Sequence, residues 1–455
     1  MASGIAAWGV LTAFSILLIA PAAQAQHDEH HRSSPQSAAS PLPSMPKMGS
    51  GLDLSPDDLR ADPVGVLGRR MSLQGSGTSL QPESSPMWMW TREQGPWLWR
   101  IHGNGLLSWN GATGPRGYGE LSFPNWGMAM GSRVLGPGIL DLRLMGSLDP
   151  FTTPPGGTAQ LFQTGESFGG QPLVDRQHPH ELFMEIAGLY TVPLARGISM
   201  FLYGGPVGEP ALGPNAYMHR VSAADNAMAP LSHHLQDSTH IVMGVLTGGI
   251  QWKRWQLEGS WFQGKEPDEV RTNIDFGPLD SYSVRLSYAP SRNWVMQASS
   301  GYLTHPEELR PGDLIRSTAS VHHNLPLSFG NWASALVWGQ NRELIESPPH
   351  VENSLLAEST LDWAGFNHLY GRYELVDKEG LLAGIPGEEG PVHRIHALTL
   401  GLIRDLTLNP VVIGIGGDFT LYAKPAELDA VYGMMPVSYR IFLRIRPPLM
   451  THRMH

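Results

Sequence analysis

From Trp97 to Arg446 the chain is built of segments about ten residues long in which apolar side chains alternate with polar or small ones. A period of two puts successive side chains on opposite faces of a strand, so the rhythm favours strands over amphipathic helices. In Ser281–Tyr288 one face carries Tyr282, Val284, Leu286 and Tyr288, and the other carries Ser283, Arg285 and Ser287. Val437–Arg446 repeats the division, with Tyr439, Ile441, Leu443 and Ile445 against Ser438, Arg440, Arg444 and Arg446. Leu140, Leu142 and Leu144 oppose Asp141 and Arg143 in the same way.

A soluble sandwich also alternates, so the connections have to decide. Short turns at Leu135-Gly136-Pro137, Pro193–Arg196, Gly248-Gly249, Pro290-Ser291-Arg292 and Ala364-Gly365-Phe366 are interleaved with long connections such as 150–181, 205–239, 264–280 and 423–436. Outer-membrane barrels show this asymmetry, with short turns at one end and long loops at the other. The expected fold is all-β, a transmembrane antiparallel β-barrel of about sixteen strands (about 14–18) spanning 96–446. Strands expected at 240–250 and 252–263 are two of them. Trp97, Trp252, Trp294, Tyr302, Trp332, Trp363, Tyr422 and Tyr439 lie towards strand ends, where a barrel carries its aromatic girdles. Residues 447–455 form a C-terminal tail.

Composition fits this reading. Only 16% of the 455 residues are charged, well below the roughly 25% of an ordinary soluble protein. The absence of cysteine excludes a disulfide scaffold, a thiolate metal centre and a Cys nucleophile. A formal charge of -10 argues against a nucleic-acid partner.

The apolar run from Ile5 to Ala20, followed by Ala23-Gln24-Ala25, reads as a signal peptide over 1–25 with cleavage near Ala25. Residues 26–95 read as a disordered periplasmic segment rich in Pro, Ser and Gly. His27, His30 and His31, with Met45 and Met48, make it either a linker or a weak metal trap. The expected location is the outer membrane of a bacterium, with outer-membrane lipid as one partner and a small polar solute or a metal ion as another.

The wet strand faces place Asp141, Arg143, Glu185, Arg254, Glu258, Arg285, Arg316, Glu358, Asp362, Arg372, Glu374, Asp418, Arg440 and Arg444 towards a lumen. Such a mixed ring either creates a transverse field in a porin-like channel or closes the barrel with internal salt bridges.

Histidines concentrate in two long connections predicted to lie at one end. One contains Asp175-Arg176-Gln177-His178-Pro179-His180-Glu181, and the other His219 and then His233-His234-Leu235-Gln236-Asp237-Ser238-Thr239-His240. His178, His180, His233, His234, Asp237 and His240 supply enough nitrogen and oxygen donors for Zn or Cu without a thiolate. The same residues would alternatively form a hydrogen-bonded network that folds the loops inward and narrows the mouth. This leaves a constricted porin-like channel as the leading function, with metal (Cu/Zn) binding or efflux-associated transport as the alternative.

An outer-membrane hydrolase using Ser238, His240 and Asp237 is a third reading. Three such residues within four positions cannot easily chain nucleophile to base to orienter, so the expectation is that the protein is not an enzyme and has no catalytic residues.

The stretches DRQHPHELFME (Asp175–Glu185), GGPVGEPALGP (Gly204–Pro214), HHLQDSTH (His233–His240) and PVSYRIFLRIRP (Pro436–Pro447) resemble a family of uncharacterised exported bacterial proteins taken to be outer-membrane β-barrels. The resemblance runs from about Trp97 to Pro447. It implies a location and a fold, and no activity.

Overall fold

The alternating segments pair edge to edge until the sheet meets itself. The computed structural model describes residues 73–450 except 196, 227, 310–311, 345–349 and 384–390. The expected signal peptide and most of the leader, with its histidines, lie outside the described residues, as do 451–455. The strands are β1 (Trp90–Gln94), β2 (Trp97–Ala112), β3 (Gly119–Ser122), β4 (Asn125–Leu135), β5 (Gly138–Gly146), β6 (Thr158–Phe168), β7 (Gln171–Gln177), β8 (Phe183–Ala195), β9 (Ile198–Val207) and β10 (Val245–Trp252). They continue as β11 (Trp255–Phe262), β12 (Ser281–Ser291), β13 (Trp294–Leu303), β14 (Leu314–Leu327), β15 (Gly330–Glu343), β16 (Val351–Trp363), β17 (Asn367–Lys378), β18 (His393–Leu408), β19 (Val411–Ala423) and β20 (Val437–Arg446).

Consecutive neighbours pair antiparallel, and β2 closes on β20 through Gly105↔Ile445 to Ala112↔Ser438. β3 and β4 are two parts of one wall strand, both paired with β2. The result is a closed antiparallel barrel of 16 strands. β1 extends the edge of β2, and β6 and β7 form a separate hairpin within the β5–β8 connection.

The sidedness is inverted relative to a soluble protein. Large apolar side chains such as Leu202, Leu257, Leu402 and Ile441 are exposed on the outer face, while Ser, Thr, Gln and paired charges are buried on the inner one. Only a lipid environment makes that distribution stable, because an outward apolar belt is matched to hydrocarbon. Short turns at one end and long connections at the other follow the expected asymmetry.

Several local expectations change. Gly248-Gly249 is not a turn: both residues lie inside β10, and a Cβ at Gly249 would collide with the Phe201 ring. The turn falls instead at Lys253-Arg254, with Lys253 at φ 54. Arg254 is therefore exposed at a turn and does not line the lumen. The strand expected to begin at residue 240 begins at Val245, because Ser238–His240 is a short helical turn. Tyr422 does not join an aromatic girdle; its ring meets Phe162 inside, at 4.9 Å between centroids.

Of the segment expected to stay disordered to residue 95, the described part, residues 73–95, is ordered. Thr78 and Leu80 are buried, held by wall side chains: Arg143 donates to Gly77 O at 2.5 Å and Gln256 to Thr78 O at 2.8 Å. The backbone carbonyls of this polar stretch find their partners on the inner wall, which no local pattern announces.

Candidate functional site

The β9–β10 connection crosses the lumen and does not project from the mouth. Its backbone is tied to the wall by Ala211 N to Ser260 Oγ at 2.6 Å, Gly213 N to Ser299 Oγ at 2.9 Å and Ser232 N to Glu374 Oε2 at 2.9 Å. Its side chains are tied by charge: Arg220 donates to Glu358 at 2.7 Å, and Arg444 on β20 meets Asp225. Ser76, in the N-terminal segment, donates its N–H to Asn215 Oδ1 at 2.7 Å, so the two inserted pieces meet inside the barrel.

The inward charges are paired across the wall as well. Arg100 meets Asp141 at 3.1 Å, Arg285 meets Glu258 at 2.9 Å, Arg372 meets Glu358 at 3.1 Å and Arg440 meets Asp418 at 2.8 Å. Arg316 is bound to Asn341 at 2.9 Å, and Glu185 accepts from Tyr203 at 2.8 Å. Asp362 accepts from His368 at 2.6 Å. Of the two arrangements open for the mixed charges, the structure therefore has the internally paired one.

Both histidine-bearing connections converge in this interior. Pro179 sits between His178 and His180, and both rings face the 233–240 segment. The His178 ring centroid is 6.3 Å from that of His233 and 5.7 Å from that of His234. His180 lies 5.9 Å from His240, and His233 lies 5.1 Å from His240.

The candidate ligands divide by what already occupies their nitrogens. His180 donates from Nδ1 to Asp149 at 2.7 Å, and its Nε2 meets the Tyr217 hydroxyl at 3.1 Å. His233 donates from Nδ1 to Asp237 Oδ1 at 2.7 Å, and Asp237 Oδ2 accepts from Arg220 at 3.0 Å. His240 donates from Nδ1 to Asp237 O at 2.8 Å, while its buried Nε2 has no partner among the described residues. His234 Nδ1 is also buried without a partner. Ligand atoms of His178, His234 and Glu166 lie within 4.8 Å of one another. Sequence reasoning missed Glu166, which stands in β6, far from any histidine run. No sequence pattern marked it; the adjacent Gly165, at φ +123, leaves room that a Cβ would take from the His234 ring.

Burial keeps three of these rings, His178, His234 and His240, from taking up a proton. Burial, then the charge of Arg271, holds His178 well below the usual imidazole range. Burial and His233 do the same to His234 and lower His240 to about 3. Burial raises Asp237, but the hydrogen bond and charge of His233 and the charge of Arg220 outweigh it, so it stays ionised. Burial raises Glu166 and lifts Glu181 to about 7, each against the opposing charge of Arg271, which bonds both at 2.6 Å. Neutral imidazoles beside a carboxylate need lose no proton to bind a cation.

Above the cluster, at the long-connection end, opens a cleft of about 580 Å3 bordered by Glu166, Glu266, Asp268, Glu269, Glu307 and Glu308. Glu166 thus belongs both to the acidic mouth and to the histidine group. The hydrolase arrangement is absent among the described residues: Ser238 Oγ meets Glu266 at 3.4 Å and Arg316 at 2.6 Å, and His240 turns to a backbone carbonyl.

No protein-family profile matches the sequence, and no curated protein matches it either. Among solved structures the fold is similar to an anion-selective porin from Comamonas acidovorans, at 10% identity and a TM-score of 0.46, covering 76% of this chain and 99% of that one. It is also similar to OmpF of Salmonella typhi in complex with daunomycin, at 8% identity and 0.47, covering 78% and 100%. OprB of Pseudomonas putida gives 7% identity and 0.49, covering 77% and 94%.

Proposed function

We propose that the protein is a porin-like outer-membrane conduit for small polar solutes, closed in this conformation by its own β9–β10 connection and N-terminal segment. The observation that carries the reading is the character of the stopper. Alongside apolar packing by Leu212, Leu231 and Leu235, it is fastened to the wall through hydrogen bonds and ion pairs such as Arg220–Glu358, contacts for which water can substitute. A permanently solid barrel has no need of a polar interior, since apolar packing is often at least as stable as buried ion pairs. The apolar outer belt supports residence in the outer membrane, and the leading apolar run of the sequence supports export. Planar-bilayer recording tests the proposal. Wild type is expected to show rare openings, and a variant with the stopper loosened frequent ones; silence from both at every voltage overturns it.

One specific observation favours a second reading, metal binding at the mouth. Glu166, His178 and His234 converge beneath an acidic cleft, and His234 Nδ1 lacks a partner. The donor set suits a borderline divalent ion such as Zn(II) or Cu(II). Isothermal titration of the purified barrel with Zn(II) tests it, and an absence of saturable binding removes it.

A further inference from the structure

Most inward-facing wall positions are polar, and among the apolar patches that interrupt them one is built largely of methionine. Met128 and Met130 on β4, Met145 on β5 and Met184 on β8 are all buried on the inner face. Met218 and His219 of the β9–β10 connection, Met87 and Met89 of the N-terminal segment and His102 of β2 come against this sector. With Met128 and Met130 they border a partly open cavity of about 120 Å3. Arg446, the last residue of β20, also borders it, which places the cavity towards the short-turn end.

The two histidine rings lie 5.5 Å apart, and both rest on Trp126, at 5.2 and 4.9 Å. His102 Nε2 is shut off from solvent and meets no hydrogen-bond partner among the described residues. A buried polar atom left unpaired is unfavourable unless something outside the chain pairs with it. The arginines that border the cavity are each taken up by carboxylates: Arg100 by Asp141 at 3.1 Å, Arg143 by Glu185 at 3.6 Å and Arg446 by Asp405 at 2.9 Å. What remains on offer is chiefly thioether sulfur and imidazole nitrogen, neutral and polarisable, beside the unpaired amide oxygen of Asn104.

That donor set selects soft monovalent metal ions and has little affinity for hard cations. We propose that the chamber is a binding site for Cu(I) or Ag(I), held by methionine thioethers together with His102 and His219. It is separate from the Glu166–His178–His234 group and does not depend on it. The two regions are neighbours, however: Met218 and His219 also border a void of about 10 Å3 whose wall includes His240.

The test uses the full chain folded in detergent, with the leader donors His27, His30, His31, Met45 and Met48 replaced so that only the barrel reports. Cu(I), kept reduced by ascorbate, is titrated in competition with a chromophoric Cu(I) chelator. The expected result is one tightly held equivalent. Its affinity falls about tenfold or more in a Met128→Leu/Met130→Leu/Met218→Leu variant, in which leucine preserves the packing volume. X-ray absorption of the bound copper is expected to show sulfur neighbours. Binding of Cu(I) by the variant as tightly as by its parent overturns the proposal, and so does a copper spectrum with nitrogen and oxygen neighbours alone. If the variant fails to fold, the parent's spectrum decides.

Discussion

Arg220, carried into the lumen by the β9–β10 connection, donates from Nε to Glu358 Oε1 on β16 at 2.7 Å and from Nη1 to Asp237 Oδ2 at 3.0 Å. One guanidinium thus joins the barrel wall to the segment that orients His233. Replacing it with alanine leaves two buried carboxylates short of a cation, a change that costs about 3–5 kcal/mol when a buried pair is broken. The Arg220→Ala barrel is expected to unfold at lower urea and to conduct in planar bilayers far more often than wild type. Unchanged conductance together with unchanged stability would show that the contact fastens nothing.

The outer belt makes a separate demand. Leu402 lies near the middle of β18 and is 56% exposed. On a soluble protein, arginine at such a position is nearly neutral; facing hydrocarbon it costs about 2–4 kcal/mol. Leu402→Arg is expected to lose that amount in unfolding measurements from lipid vesicles, and a loss near zero would contradict the assigned lipid face.

Occupancy of the ring nitrogens separates the histidines of the mouth. His178→Ala and His234→Ala are each expected to abolish saturable Zn(II) binding in calorimetric titration. His180→Ala should leave the stoichiometry intact, since both His180 nitrogens are engaged by Asp149 and Tyr217. Equal effects of all three would place the ion elsewhere.

Glu209 supplies a pH dependence. Burial raises its carboxyl to about 8, against the lowering influence of Arg285. The folded state therefore holds this proton more tightly than the unfolded chain does. The associated stability is fully present below the ordinary carboxylate range and is lost as pH rises through about 8. Melting temperature is expected to fall between pH 5 and pH 9, and Glu209→Gln to flatten that part of the profile. An equally steep profile in the variant assigns the effect to other groups.

The barrel was legible because its rules are local. A period of two, punctuated by turns of unequal length, located the wall strands, and the errors lay at their ends: a glycine pair inside a strand read as a turn, and Ser238–His240, a helical turn, read as the start of a strand. Gly249 makes room for the Phe201 ring, whereas Lys253 adopts the left-handed turn conformation without being glycine. The interior was far less legible. Thr78 is ordered by Gln256 and Arg285, residues far along the chain, and Glu166 joins His178 and His234 through the fold of a hairpin. The two histidine motifs could be named as neighbours because each flanks the same pair of strands. The methionine chamber gave no usable signal, because its two close pairs, Met87/Met89 and Met128/Met130, are far apart in sequence and the other members lie singly on β5, β8 and a connection.

Because Ser76 and Asn215 bind each other inside the barrel, at 2.7 Å, the stopper is one object assembled from two parts of the chain that are distant in sequence. Neither part can leave while the other stays without stripping hydrogen bonds from its partner. In the conduit proposed above, opening is expected to be an all-or-none event with long closed dwell times and abrupt, full-sized current steps, and a graded leak in planar-bilayer recordings would contradict it. The first described stretch, which precedes the wall in sequence, would also be among the last to reach its final place, since the strands that receive it are made after it.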